Sequence, residues 1–188
     1  MPKVSVILTS YNKPKLVVQA IESVLGQTFQ DFELIICDDN SNDETKRAIK
    51  PYLANPKIVY IQSDIAPADR WKTCRYATMI NKGLKIARGA YISYLCDDDI
   101  YYPPRLEIMA GTLDQNPDYF IVYGKQRNVR LSGRLLGIPR GIRETVGVTR
   151  EAAGKVDHNS IMHRKICSDK VGGWEDDKKY WDAADSAF

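Results

Sequence analysis

Apolar residues recur along this chain with two different periods, and the alternation between the two sets the fold expectation. Val4-Ser5-Val6-Ile7-Leu8-Thr9 is a short β-branched and aliphatic run, the composition of a buried strand. Ser10-Tyr11-Asn12-Lys13-Pro14 breaks it with turn formers, and residues 16–25 then carry apolar positions at helical spacing. The same strand-then-helix pattern returns at residues 32–37 and 44–53, at 58–61 and 73–87, and at 91–96 and 105–115. Residues 120–123 and 157–164 read as further strands, and Gly172-Gly173-Trp174 as a turn. Ser41 stands three residues before Glu44, as in a capping box, and Arg88-Gly89 resembles a glycine C-cap. Strands alternating with helices this regularly imply right-handed β-α-β crossovers. The expected fold is α/β, a Rossmann-like, doubly wound, mostly parallel sheet with helices on both faces.

The polar positions that interrupt this pattern are not scattered. Tyr91-Ile92-Ser93-Tyr94-Leu95-Cys96, opened by Gly89 and Ala90, reads as a strand buried on both faces, and it stops in Asp97-Asp98-Asp99. In an open α/β sheet, ligands bind at the carboxyl edge of the strands, which is where these acids fall. Three consecutive carboxylates repel one another unless positive charge sits among them. A divalent cation answers that need, and hard oxygen ligands suit Mg2+ or Mn2+. The plain alternative is a polar turn after a strand. Two other strands end in polar residues at the same edge, Thr9 and Tyr11 after the first and Asp38 and Asp39 after the second. An aromatic ring at Tyr11 can cover a base, Asp39 can accept from a base N–H or a ribose hydroxyl, and Arg70 with a cation can hold phosphates. Arg75 is a second candidate for phosphate or a helix-surface residue. Together these residues describe a nucleoside diphosphate site.

Composition narrows the field. At 188 residues, 44% hydrophobic and 27% charged, the chain suits one domain, 1–188, with a nucleotide-binding half at 1–100 and an acceptor half at 101–188. A net charge of +3 is too small to argue for nucleic acid as a partner. No apolar run reaches membrane-span length and the N-terminus enters a strand directly, so no transmembrane segment and a cytoplasmic location are expected. Cys37, Cys74, Cys96 and Cys167 are far apart without a Cys-x-x-Cys pair, which reads as reduced thiols rather than disulfides or zinc. No dinucleotide or P-loop glycine motif is present. From Lys125 to Arg150 the chain turns basic and glycine-rich, the pattern of a mobile loop at about 130–155 with little regular structure. Arg140 and Arg143 within it are candidates to meet an anionic acceptor or the leaving diphosphate. The last residues read as the start of a helix cut short.

Four stretches are familiar in combination. Residues 4–12, Ile21-Glu22-Ser23-Val24-Leu25-Gly26-Gln27-Thr28, Phe32-Glu33-Leu34-Ile35-Ile36-Cys37-Asp38-Asp39-Asn40-Ser41 and the triple acid closely resemble glycosyltransferase family 2, the inverting GT-A enzymes. Within it, the likeness is to the branch that makes spore-coat polysaccharide in bacilli. The resemblance implies a metal-dependent transferase that moves a sugar from a UDP- or dTDP-sugar donor to a glycan or polysaccharide acceptor. It implies Thr9, Tyr11, Asp39 and Arg70 around the nucleoside, with Asp98 and Asp99 at the metal and diphosphate. The family's base is an acid at the start of a late helix, and Asp185 occupies that place, with Asp182, Asp176 and Asp177 as rivals. Asp157, His158 and His163 are minor candidates near acceptor or metal, a strand histidine more often being structural, and Tyr101 and Tyr102 either line the sugar pocket or pack. Two other readings stand beside this one. One is a sugar nucleotidyltransferase, against which the absence of a glycine-rich basic loop after the first strand counts. The other is a nucleotide-sugar-binding protein without turnover.

Overall fold

The computed structural model describes residues 1–130, 138–143, 147 and 156–180, with the backbone alone at 128–130, 138–143 and 180. In chain order the elements are β1 (Val4–Ser10), α1 (Pro14–Leu25), β2 (Phe32–Asp38), α2 (Asp43–Ile49), β3 (Ile58–Gln62), α3 (Arg75–Ile86), β4 (Tyr91–Cys96), α4 (Arg105–Gln115), β5 (Ile121–Tyr123), β6 (Gln126–Arg130), β7 (Ile138–Arg143), β8 (Ile161–Arg164) and α5 (Lys165–Val171). Six strands form one sheet in the order β3-β2-β1-β4-β8-β5, and β6 pairs with β7 separately. The first four run parallel, whereas β8 is antiparallel to both β4 and β5, so the sheet is mixed at one end.

The strands are apolar on both faces because each face is covered. Val4, Val6 and Leu8 of β1 join Leu34 and Ile36 of β2 against Val17, Ile21 and Val24 of α1 and Leu106 and Leu113 of α4. Ile7, Ile35, Ile92 and Tyr94 point the other way, against Ala77, Met79 and Ile80 of α3 and the buried ring of Trp174. This period-two division is what a strand requires when it is buried on both sides.

Several expectations change locally. The helix expected over 44–53 stops at Ile49 and tightens into a 3-10 turn, Lys50–Ala54, because Pro51 has no N–H for the ladder. Its cap is Asn42, whose side chain accepts from Thr45 N at 2.9 Å, and not Ser41. Ser41 Oγ instead accepts from Asn12 N at 3.1 Å and ties the two strand-end loops together. α3 ends on an extended Ala87, so Gly89 is not its cap. Glycine is required at 89 by a close approach, since a Cβ there would meet Ser5 N at 2.5 Å. Residues 157–164 do not form one strand: Asp157 accepts from Asn159 N and starts a short turn, His158–Ser160, ahead of β8. The basic segment contains regular structure after all, the antiparallel β6–β7 pair with an irregularity between Asn128 and Val129. Residues 131–137, 144–146 and 148–150 of that segment lie outside the described residues, as do the side chains of Arg140 and Arg143. Among the described residues no helix is long and apolar enough to cross a membrane.

Candidate functional site

Strand register brings the predicted polar residues to one edge. Thr9 sits beside Cys37 on one side and Cys96 on the other, and Ser10 sits beside Asp38. The three chains therefore leave the sheet side by side. Asn12 and Asn40 take left-handed φ values of 55° and 56°, a conformation asparagine tolerates better than most residues, and so turn the loops after β1 and β2. Asn12 Oδ1 accepts from Asn42 N at 2.7 Å, which joins them again.

Asp39 lies between two arginines. Arg70 reaches its carboxylate at 2.7 Å and its carbonyl at 2.7 Å, while Arg75 binds the same carboxylate with Nη2 at 2.5 Å and Nε at 3.2 Å. The Arg70 guanidinium also stacks 3.5 Å from the centroid of Tyr11, a half-exposed ring. Tyr11, Asp39 and Arg70 are thus one unit. Arg75 is buried within it, which is neither a helix-surface position nor a solvent-facing phosphate contact. Asp38, one residue earlier, is fully buried and holds Tyr60 Oη at 2.9 Å, so it supports the edge from below.

The triple acid divides its work. Asp97 is buried; it accepts from Tyr11 N at 2.8 Å and from Lys13 at 3.0 Å, which anchors the β1 loop. Asp98 is more open and binds Lys13 at 2.7 Å. Burial works against the Lys13 ammonium, but hydrogen bonds to Asp98 and Asp97 outweigh it and hold its pKa above the ordinary lysine value. Positive charge among the acids is therefore partly supplied by the protein itself. Asp99 does not share it fully: burial, then the neighbouring Asp98 and Asp157, push its carboxyl up to about 6. It accepts from Asn159 Nδ2 at 2.5 Å, and the other amide atom, Asn159 Oδ1, is buried without a hydrogen-bond partner. Cys96, Asp98 and Asp99 each offer one ligand atom within 4.8 Å of the others. Two of the three are carboxylates, hard oxygen donors whose crowded negative charge a divalent cation would neutralise, and Cys96 adds a softer thiol.

The remaining candidates separate. Thr9 Oγ1 lies 3.9 Å from Cys96 Sγ, within the acid row. His158 is beside it, with Nε2 3.4 Å from Cys96 Sγ, Nδ1 3.6 Å from Asp157, and its ring stacked on Tyr76. His163 is in the core: Nδ1 donates to the Arg164 carbonyl at 2.8 Å, Nε2 accepts from Tyr94 Oη at 2.7 Å, and burial pushes its pKa down to about 4. Tyr101 packs inside, its hydroxyl on the Tyr94 carbonyl, whereas Tyr102 is exposed. Asp176 pins the start of α3 through Cys74 N, and Asp177 accepts from Lys179 N. Asp182 and Asp185 lie outside the described residues. Lys13 and Asn159 were not expected at the site, and nothing in their local sequence marks them, because their partners are 85 and 60 residues away.

Comparison with known proteins fits this geometry. The model of the family "Glycosyl transferase family 2" matches residues 5–169. Protein CgeD of Bacillus subtilis (strain 168) is 47% identical over 191 residues, covering 99% of this chain and 45% of that one. The Staphylococcus aureus TarS 1–349 structure in complex with UDP-GlcNAc superposes with a TM-score of 0.70 at 18% identity, over 93% of this chain and 49% of that one. Mannosyltransferase PcManGT from Pyrobaculum calidifontis, in complex with GDP-Man and Mn2+, gives 0.68 at 16% identity, over 99% and 50%. At such identities the two structures speak for the fold, which is GT-A. The chain spans about half, or less, of the length of each of these proteins.

Proposed function

The chain belongs to glycosyltransferase family 2, and from that premise we propose that it is a metal-dependent inverting glycosyltransferase. It moves a sugar from a UDP- or dTDP-sugar to a hydroxyl of a glycan or polysaccharide, in surface or spore-coat polysaccharide synthesis. The observation that carries the reading is the pairing, on one sheet edge, of the Tyr11–Arg70–Asp39 unit with the carboxylates of Asp98 and Asp99. TarS and PcManGT support a nucleotide-sugar donor, and PcManGT supports a divalent metal.

Residues 1–100 form the donor half and the remainder the acceptor half. Tyr11 covers the base, Thr9 and Asp39 face the nucleoside, and Arg70 and Arg75 hold the Asp39 side chain in place for hydrogen bonds from base or ribose. Asp98 and Asp99 would hold Mg2+ or Mn2+, with Asn159 fixing the Asp99 carboxylate. When bound, the cation stabilises charge on the leaving diphosphate. Lys13 exchanges one of its carboxylates for a phosphate oxygen, so positive charge stays at the edge. Asp185 takes the proton from the acceptor hydroxyl as it attacks the anomeric carbon from the face opposite the diphosphate.

Donor labelled in the sugar, with Mn2+ and a polysaccharide acceptor, tests the reading. Label entering the polymer with release of nucleoside diphosphate is expected. Pyrophosphate exchange into donor would mean a nucleotidyltransferase, and binding without turnover a nucleotide-sugar-binding protein.

A further inference from the structure

An open cleft lies between residues 71–73 and 175–178, with a volume of about 600 Å³, and Thr73 on its wall accepts from Arg75 of the donor unit at 3.0 Å. That volume is within the roughly 300–1,000 Å³ of ordinary ligand sites. Its walls are fastened. Cys74 N donates to the Asp176 carbonyl at 2.8 Å, Thr73 and Asp177 form an antiparallel bridge, and Thr78 Oγ1 lies 3.3 Å from the Asp176 carboxylate. Trp71 stands on one wall and is 60% exposed. Lys178 Nζ comes to 5.2 Å from its ring centroid, and no other ring stacks on it among the described residues. An indole this exposed in a cleft wall is apolar surface that a ligand can bury.

We propose that this cleft binds a sugar ring of the glycan acceptor, with Trp71 as its platform; the proposal rests on the glycosyltransferase reading above and assigns the acceptor a place. A pyranose presents an apolar face of C–H bonds with partial positive charge, which suits the negative face of an indole. Its hydroxyls donate, and Glu175, Asp176 and Asp177 line the same cleft with carboxylate acceptors. These three acids outnumber the two ammonium groups, Lys72 and Lys178, and Lys72 is bound to Asp69 at 2.6 Å. The chemistry therefore favours neutral or amino sugars over uronic acids. Trp71 directly follows Arg70 of the donor unit, and the 175–178 wall leads in sequence to Asp182 and Asp185. The cleft thus adjoins the donor and, along the chain, the proposed base.

Tryptophan fluorescence and saturation-transfer NMR with cellobiose, chitobiose and glucuronic acid, in UDP and Mn2+, decide the matter. Cellobiose or chitobiose should quench the wild type and glucuronic acid should not. Trp71→Ala should weaken saccharide binding by at least about tenfold, as removal of a central aromatic contact does, and Trp71→Phe should retain most of it by NMR. The UDP affinity of Trp71→Ala should equal that of the wild type. The proposal is overturned if no disaccharide binds while UDP does, or if Trp71→Ala weakens UDP as much as saccharide, which would make Trp71 a nucleoside contact. A wild type that binds disaccharide but not UDP keeps the cleft and contradicts the function above.

Discussion

Asp99 is the residue at which folding and ligand binding are most at odds. Burial and two neighbouring carboxylates oppose its charge, yet the chain surrounds it with an amide donor instead of an apolar replacement. A cation would resolve that conflict, so on the proposed function Asp98→Asn and Asp99→Asn should abolish the Mn2+-dependent part of UDP binding while circular dichroism stays unchanged. Calorimetry showing wild-type affinity in either variant would contradict it. His163 carries a different consequence. Its folded pKa of about 4 lies below the ordinary 6.5, so its contribution to stability is complete above pH 6.5 and is lost as pH falls toward 4. In urea titrations, the stability advantage of the wild type over His163→Gln should shrink between pH 7 and pH 4.5; a constant difference would sink this assignment. At this scale the meeting of the acids, Tyr11, Asp39 and Arg70 at one edge was legible, because each stands at a strand end or in the loop after one. Lys13 and Asn159 were not, and Arg75 was a candidate without its Asp39 partner, because these roles depend on contacts that only the tertiary fold brings near.

Elements hold the edge in register from the opposite end of the sheet. Glu33 of β2 is buried, and its carboxylate accepts from Ser5 Oγ at 2.7 Å and from Arg88 N at 2.7 Å. Ser5 Oγ also accepts from Gly89 N at 2.8 Å, so β1, β2 and the entry to β4 share one knot. Gly89→Ala would drive a methyl group to 2.7 Å from the Val4 carbonyl carbon. Overpacking of this kind costs about 1–3 kcal/mol, a fall in Tm of roughly 2–4 °C per kcal/mol for a domain of this size. Differential scanning calorimetry should show that fall, with UDP affinity at the distant edge retained; an unchanged Tm would mean the backbone gives way freely there. The element types of β1 to β4 were legible from period and turn chemistry. Helix ends were less so: Pro51 shortened α2, and Asn42 rather than Ser41 took the cap. The β6–β7 pair was missed because glycines and arginines hid a strand pattern that no apolar face enforces.

Taken whole, the molecule is a two-faced sheet that delivers three strand ends to one edge, and a ligand there is bound only by the folded state. Nucleotide and cation at about 100 times Kd should add roughly 2.7 kcal/mol of stability, hence about 5–10 °C in Tm. UDP should give this shift with Mn2+ and much less without it. The fold class was legible because strand and helix periods alternate without interruption; the antiparallel β8 was not, since a four-residue strand carries no direction in its sequence. The most direct measurement is isothermal titration of UDP into the protein with Mn2+ and again with EDTA. Binding that is saturable with Mn2+ and at least about tenfold weaker with EDTA, a difference of about 1.4 kcal/mol or more, is the predicted result. Equal affinity in both, or no binding in either, would contradict a cation-held diphosphate at Asp98 and Asp99.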